Sequence, residues 1–214
     1  MIITAGIDEW KHKGHVYGEC MSLPGKDLMY VYIPKNASSW TKPNLQDWGW
    51  EFYNYHTDQL NKTAIVVLRD PVDRWISGFA TYASSWILGK DYGSDHFVED
   101  YNSLSDRLIF DNLVFDDHTT PQSNFVEFLP KVKPVTHFRL GKDTVANISR
   151  YAQQNLNISD VDANVSEDHY DQQQISKFIR NRLTNRPDLI ERINEQYAND
   201  FNLIDSVNFY NDAR

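Results

Sequence analysis

A lysine and two serines follow an apolar segment near the start of the chain. Residues 28–33 carry no charge, Pro34 ends the run, and Lys35, Ser38 and Ser39 come directly after it. An uncharged run of this kind is typical of a strand buried on both faces. A helix beginning at Ser38 or Ser39 would point its amino-terminal N–H groups at an anion beside Lys35. The stretch therefore predicts a phosphate-binding turn; the alternative is a surface turn with an exposed lysine.

A second cationic group follows the β-branched run Thr63–Leu68, which is the clearest buried strand in the sequence. Asp70 is a suitable amino-terminal cap and Pro71 fits the first turn of a helix. The apolar residues that follow are spaced so that they fall on one face of a helix. They are Val72, Trp75, Ile76 and Phe79. The pattern predicts a strand that leads directly into an amphipathic helix.

Arg69 lies between that strand and that helix. In open α/β sheets, ligands bind at the carboxyl ends of the strands. Ser77 follows two helical turns later, and a planar guanidinium with a hydroxyl suits a phosphate monoester. The alternative is that Arg69 and Arg74 pair only with the neighbouring aspartates. If the two predicted strands are parallel neighbours, the Lys35 and Arg69 loops open on the same edge of one sheet.

The composition narrows the possible classes of protein. The chain has 214 residues, 41% hydrophobic residues and a net charge of −9, which predicts one folded domain and argues against nucleic-acid binding. The single cysteine, Cys20, allows no intrachain disulfide and no cysteine-rich metal site. We see no signal peptide and no apolar run long enough for a membrane helix, so we expect a cytoplasmic protein.

The remaining pattern predicts alternating strands and helices. We expect residues 1–26 to be peripheral, with a turn at Pro24 and Gly25. Strands are predicted at 27–33, 50–56, 63–68 and 132–140. Helices are predicted from Pro71, through most of 80–114, and at 141–156, 173–183 and 188–201, with Pro43 kinking or restarting the helix after Lys35.

Four motifs, taken in order, resemble sulfotransferases that use 3′-phosphoadenosine 5′-phosphosulfate (PAPS), nearest the carbohydrate (Golgi-type) branch. They are the Lys35 loop, the R-D-P-x-x-R-x-x-S element from Arg69 to Ser77, the block Asp116–Gln122 and the closing stretch Tyr197–Leu203. The resemblance implies a three-layer, P-loop-like α/β fold. A central parallel sheet of about four or five strands would be flanked by helices, in a single domain 1–214 whose helices at 171–205 pack on the core.

The resemblance also implies roles for individual residues. Lys35 would act on the bridging oxygen of the phosphosulfate, and Arg69 and Ser77 would hold the 3′-phosphate. The 5′-phosphate would be held by the loop residues Asn36, Ala37, Ser38, Ser39 and Trp40. Candidates for the general base are His56, then Glu51, then His118. No metal is implied, the product is PAP, and the acceptor favoured by the resemblance is a saccharide hydroxyl.

Two other functions fit parts of the pattern. A P-loop-type small-molecule kinase would need a Walker lysine after glycines, which the Lys35 loop lacks. A non-catalytic nucleotide-binding module would keep the fold without transfer. The chain also departs from the family, which usually has Thr-Gly-[Ser/Thr] where this sequence has Asn36-Ala37-Ser38. The acceptor and the oligomeric state are not readable from the sequence.

Overall fold

A computed structural model describes residues 19–54, 62–84, 104–127, 129, 134–152 and 170–210. The strands of this part are β1 Glu19–Ser22, β2 Leu28–Val31, β3 Glu51–Asn54, β4 Thr63–Leu68 and β5 Val135–Arg139. The helices are α1 Ser38–Asp47, α2 Pro71–Tyr82, α3 Asp106–Phe110, α4 Gln122–Glu127, α5 Thr144–Tyr151, α6 Tyr170–Asn185, α7 Pro187–Gln196 and α8 Ala198–Ser206. Predicted features at 85–103, 131–133 and 153–169 lie outside the described residues.

The described residues form two compact units. Of these residues, the sheet unit comprises 19–54, 62–69, 122–127, 129, 134–152 and 202–210, and the helical unit comprises 70–84, 104–121 and 170–201. The chain thus combines α and β structure, as its sequence predicts.

The sheet has five strands in the order β3-β1-β2-β4-β5. Strands β2, β4 and β5 run parallel to their neighbours, whereas β1 is antiparallel to both β2 and β3. The expected parallel sheet is therefore mixed. The reason is local: Gly25, at φ 73°, lies in a short turn between β1 and β2, and a connection this short can join only antiparallel strands.

Strand β1 also changes the prediction that residues 1–26 are peripheral. Residues 19–22 lie inside the sheet, between β3 and β2, and Cys20 and Met21 are fully buried. A four-residue strand that contains a glutamate and a serine has little periodic signal of its own. Its place in the sheet depends on pairing with distant residues.

Both faces of the sheet are covered by helical segments of the sheet unit. On one face, Ile65 and Val67 of β4 pack in a cluster with residues of α1 and α5, including Leu45 and Ile148. On the other face, Ala64, Val66 and Leu68 of the same strand pack in a cluster with Phe125 of α4 and Leu203 of α8. This arrangement explains why β4 is uncharged throughout and apolar from Ala64 to Leu68.

The helical unit has its own core around α2. Trp75 and Phe79 stack with ring centroids 5.5 Å apart, and the apolar face of α2 packs with residues of α6 and α7. The predicted cap is confirmed: Asp70 accepts a hydrogen bond from the Asp73 N–H at 2.8 Å, and Pro71 is the first helical residue. Trp75 is fully buried, so it belongs to the core.

The closing stretch Tyr197–Leu203, part of the helices predicted to pack on the core, is divided between two core clusters. Tyr197 lies in the core of the helical unit, where its hydroxyl donates to the carbonyls of Leu113 and Thr119. Only Leu203 contacts the sheet cluster. Among the described helices, none is long and apolar enough to cross a bilayer.

Candidate active site

The Lys35 and Arg69 loops meet at one edge of the sheet. Strands β2 and β4 are parallel neighbours, with Val31 opposite Val66, so the loops that follow them leave from the same edge. The Arg69 guanidinium donates from Nη1 to the backbone carbonyl of Lys35 at 3.0 Å. The two cationic residues that the sequence singled out are therefore neighbours in the fold.

A third basic residue ends the next parallel strand. Arg139 of β5 pairs in register with Leu68 of β4, and the Leu140 N–H donates to the Leu68 carbonyl at 2.8 Å. Arg139 is exposed, and its guanidinium carbon lies 4.2 Å from the centre of the Phe209 ring. The sequence predicts a strand at 132–140 but gives no sign that Arg139 shares an edge of the sheet with Lys35 and Arg69.

The Lys35 loop has an unusual backbone. Lys35 and Ala37 both have positive φ angles, 67° and 57°, in a region that non-glycine residues seldom occupy. Ala37 is also the cap of α1, and no side chain caps the helix there. Glycine would adopt the conformation of Ala37 without strain. Strain of this kind tends to occur at functional loops.

The side chain of Asn36 is part of the interior. It is fully buried, and its Nδ2 donates to the Val67 carbonyl at 2.7 Å. Its backbone N–H donates to the Ile33 carbonyl, and that of Trp40 donates to the Ala37 carbonyl. The amides of Ala37 and Ser38 are therefore the stronger candidates for holding a phosphate. Ser38 is buried, Ser39 is exposed, and Trp40 is partly exposed.

Pro43 lies inside α1 and neither ends nor restarts the helix, which is continuous from Ser38 to Asp47. A proline at the sixth helical position removes one backbone hydrogen bond. The side chain of the following Asn44 donates to the Trp40 carbonyl at 2.9 Å.

Gln122 connects the two loops through its side-chain amide. Its Oε1 accepts from Asn36 Nδ2 at 3.0 Å and from the Arg69 N–H at 3.2 Å. Its Nε2 donates to the Arg69 carbonyl at 2.7 Å. The only signal in the sequence was its place at the end of the block Asp116–Gln122, where no role was assigned to it.

The pairing of β3 shows where two of the candidate general bases, Glu51 and His56, stand relative to the Lys35 loop. Glu51 begins β3 opposite Ser22, which in turn pairs with Met29 near the amino end of β2. Glu51 therefore lies towards the opposite edge of the sheet from the Lys35 loop, and its carboxylate accepts a hydrogen bond from Tyr53 at 2.7 Å. Strand β3 ends at Asn54, on the edge where β2 ends. His56 follows two residues later but lies outside the described residues, so it stays a prediction.

Ser77 belongs to α2, in the helical unit, and is partly buried. Its carbonyl accepts a hydrogen bond from the Thr81 hydroxyl at 3.1 Å. The next residue, Gly78, contacts the turn at His118 so closely that an added Cβ would lie 2.3 Å from the His118 carbonyl oxygen. A residue without a side chain is therefore needed at position 78 for α2 to pack against the turn at His118. Binding of a 3′-phosphate by Ser77 stays a prediction from the resemblance.

His118, the third candidate base, lies between two carboxylates. Its Nδ1 is 2.9 Å from Asp116 Oδ2 and 3.0 Å from Asp117 Oδ1. Burial disfavours the imidazolium, but hydrogen bonds from His118 to both carboxylates outweigh it and raise the pKa of His118 to about 9. The two carboxylates favour the imidazolium form of His118, which has no free nitrogen to accept a proton, so this geometry argues against His118 as the general base.

The same three residues have the spacing of a cation site, since their ligand atoms lie within 4.8 Å of one another. His118 Nδ1 contacts both carboxylates, and a proton on this nitrogen already explains why the two acidic side chains lie close together. Burial disfavours the Asp117 carboxylate, but the hydrogen bond from His118 outweighs it and holds the pKa of Asp117 below its usual range. Asp116 also accepts from the backbone N–H groups of His118 and Thr119. We therefore assign the cluster a structural role.

Replacing His118 with asparagine should destabilise the protein in a pH-dependent way. Because the folded-state pKa is about 9 and the unfolded one about 6.5, the stabilisation is fully present below pH 6.5. It is lost as the pH rises through 9. We expect the difference in unfolding free energy from wild type to be about 2 kcal/mol larger at pH 6 than at pH 10. Urea titrations across this range measure it.

His137 provides the control, because burial lowers its pKa. Its replacement by asparagine should give a difference from wild type that does not shrink between pH 7 and pH 10. A difference that stays constant or grows with pH for His118→Asn would contradict the charged pairing of His118.

Comparison with known proteins found no match to this chain. No protein-family model matches the chain, no curated protein matches it, and no solved structure matches it.

Proposed function

We propose that the protein is a PAPS-dependent sulfotransferase that moves a sulfuryl group to a hydroxyl acceptor, with a saccharide as the first acceptor class to test. The observation that carries this proposal is the meeting of the Lys35 and Arg69 loops at the carboxyl ends of two neighbouring parallel strands. A bisphosphorylated nucleotide needs two separate anion-binding groups, and this edge of the sheet offers both. The P-loop-like classification of the fold and the cytoplasmic location are parts of the same proposal.

The geometry of the Lys35 loop supports binding of the 5′-phosphosulfate. The loop joins a buried strand to the amino end of α1, whose positive dipole end favours an anion. The left-handed residues Lys35 and Ala37 turn the chain sharply there. We assign the amides of Ala37 and Ser38, with the Ser38 and Ser39 hydroxyls, to that group.

Sulfuryl transfer displaces the 5′-phosphate oxygen, on which negative charge grows as the bond to sulfur breaks. The Lys35 ammonium group would stabilise that charge, and fixed positive charge at a reaction centre is an effective form of catalysis. Arg69 would hold the 3′-phosphate and orient the nucleotide. His56 would take the proton of the acceptor hydroxyl.

Thermal unfolding with and without nucleotides tests the proposal directly. We expect PAP, at about 100 times its Kd, to stabilise the protein by about 2.7 kcal/mol, seen as a higher melting temperature. ADP with Mg²⁺ should have little effect. The Arg69→Gln variant should lose most of the response to PAP, whereas Arg107→Gln, an exposed arginine of α3, should keep it.

Transfer itself is measured with PAPS labelled in the sulfate group and a panel of saccharide, phenol and peptide acceptors. Stabilisation by ADP and Mg²⁺ in preference to PAP would favour the kinase. Binding of PAP without transfer to any acceptor would favour the non-catalytic module. Absence of any response to PAP would contradict the proposal.

A further inference from the structure

Gln122 is a buried residue of the sheet unit whose side chain is hydrogen-bonded to residues far away in the sequence. It is the first residue of α4 and is fully buried. Its hydrogen bonds to the N–H and the carbonyl of Arg69 occur directly after β4 ends at Leu68. The side-chain amide thus pairs with the Arg69 backbone as a neighbouring strand would. Both the N–H and the carbonyl of Arg69 are hydrogen-bonded to it.

The contacts of Gln122 close a circuit between the two loops. From Gln122 the circuit runs to the side chain of Asn36, along the chain to Lys35, and from the Lys35 carbonyl to the Arg69 guanidinium. It returns to Gln122 through the Arg69 backbone. Apart from the step along the chain, each connection is a hydrogen bond of 3.2 Å or less. The Gln122 side chain thus contacts both loops.

We propose that Gln122 is a positioning residue that holds the Lys35 and Arg69 loops at the spacing one bisphosphorylated nucleotide requires. This rests on the proposed function. Gln122 lies on neither loop and acts on the ligand only through Arg69 and Asn36. Misplacement of binding groups by about 1 Å can cost two orders of magnitude in rate, so the spacing of the loops matters even if every cationic side chain is intact.

The test is the Kd of PAP for the folded full-length protein and its variants, measured by isothermal titration calorimetry. Gln122→Met removes all of the amide contacts and is expected to weaken PAP binding by about 10- to 100-fold. Far-UV circular dichroism confirms that each sample is folded at the temperature used. If Gln122→Met does not fold, Gln122→Asn replaces it, because it keeps an uncharged amide but is one methylene too short to contact both loops.

Ser22→Ala is the matched control. Ser22 is also a buried, hydrogen-bonded residue of the sheet unit, whose hydroxyl donates to the Leu28 carbonyl at 3.2 Å. It pairs with Met29 near the amino end of β2, opposite the Lys35 loop. Its replacement removes a buried hydrogen bond away from the circuit. It should lower the melting temperature and leave the Kd of PAP unchanged.

A double-variant comparison separates positioning from general destabilisation. If Gln122 acts through Arg69, adding Gln122→Met to Arg69→Ala should weaken PAP binding far less than Gln122→Met weakens it in wild type. A folded Gln122 variant with the wild-type Kd would overturn the positioning role while leaving the proposed function intact. Wild-type protein that does not bind PAP would overturn both.

Discussion

Replacing Lys35 with alanine is expected to lower the kcat of the proposed sulfuryl transfer by about 10²- to 10³-fold. The lysine would stabilise charge that develops only as the leaving oxygen separates, so the loss should appear mainly in kcat. The Arg69 guanidinium contacts the backbone carbonyl of residue 35, which the substitution retains. We therefore expect little change in melting temperature, and initial rates with saturating PAPS measure the effect.

Lys26→Ala is the control for this prediction. Lys26 is exposed in the turn between β1 and β2, at the end of β2 opposite the Lys35 loop, and its loss changes the net charge by the same amount. It should leave kcat within about twofold of wild type. Equal rates for Lys35→Ala and wild type would show that this lysine does not take part in the transfer.

Replacing Arg74 with methionine is expected to destabilise the protein by about 3–5 kcal/mol. Arg74 is almost completely buried, and it donates to the carbonyls of Thr120 and Asp117 at 2.6 and 3.3 Å. Burial lowers its pKa, but attraction to the buried Asp200 carboxylate opposes that effect. Methionine would leave both carbonyls and the carboxylate buried without this cation. Urea unfolding at pH 7 measures the loss.

Arg180→Met is the matched control, because Arg180 is half-exposed and pairs with Asp73 at 2.7 Å. Exposed pairs contribute less than about 1 kcal/mol. Adding Asp200→Leu to Arg74→Met should restore part of the lost stability, since it removes the uncompensated charge. If Arg74→Met alone is as stable as wild type, the buried charge pair does not hold the helical unit together.

The Arg74 result also bears on how the second motif is interpreted. The sequence left open a simple pairing of Arg74 with nearby aspartates. In the structure Asp70 caps α2 and Asp73 pairs with Arg180, while Arg74 turns inward to the block that contains Asp117. Within one motif, therefore, Arg69 and Arg74 serve different purposes.

Local features of the sequence determined the parts of the site that depend on neighbouring residues. The uncharged run before Lys35 and the β-branched run 63–68 become β2 and β4, because apolar periodicity and side-chain shape act over a few residues. Asp70 and Pro71 begin α2 as predicted, because capping is a contact between residues three apart. The sequence therefore indicated a strand before each cationic residue and the helix after Arg69.

Tertiary structure alone decided the relations between distant segments. Pairing placed β1 inside the sheet and turned Glu51 towards the opposite edge, since register depends on neighbouring strands and not on the strand's own residues. Gln122 contacts Arg69 across 53 residues of chain. Its amide has no periodicity that could reveal the contact, because hydrogen-bond partners far apart in sequence are brought together only when the core packs.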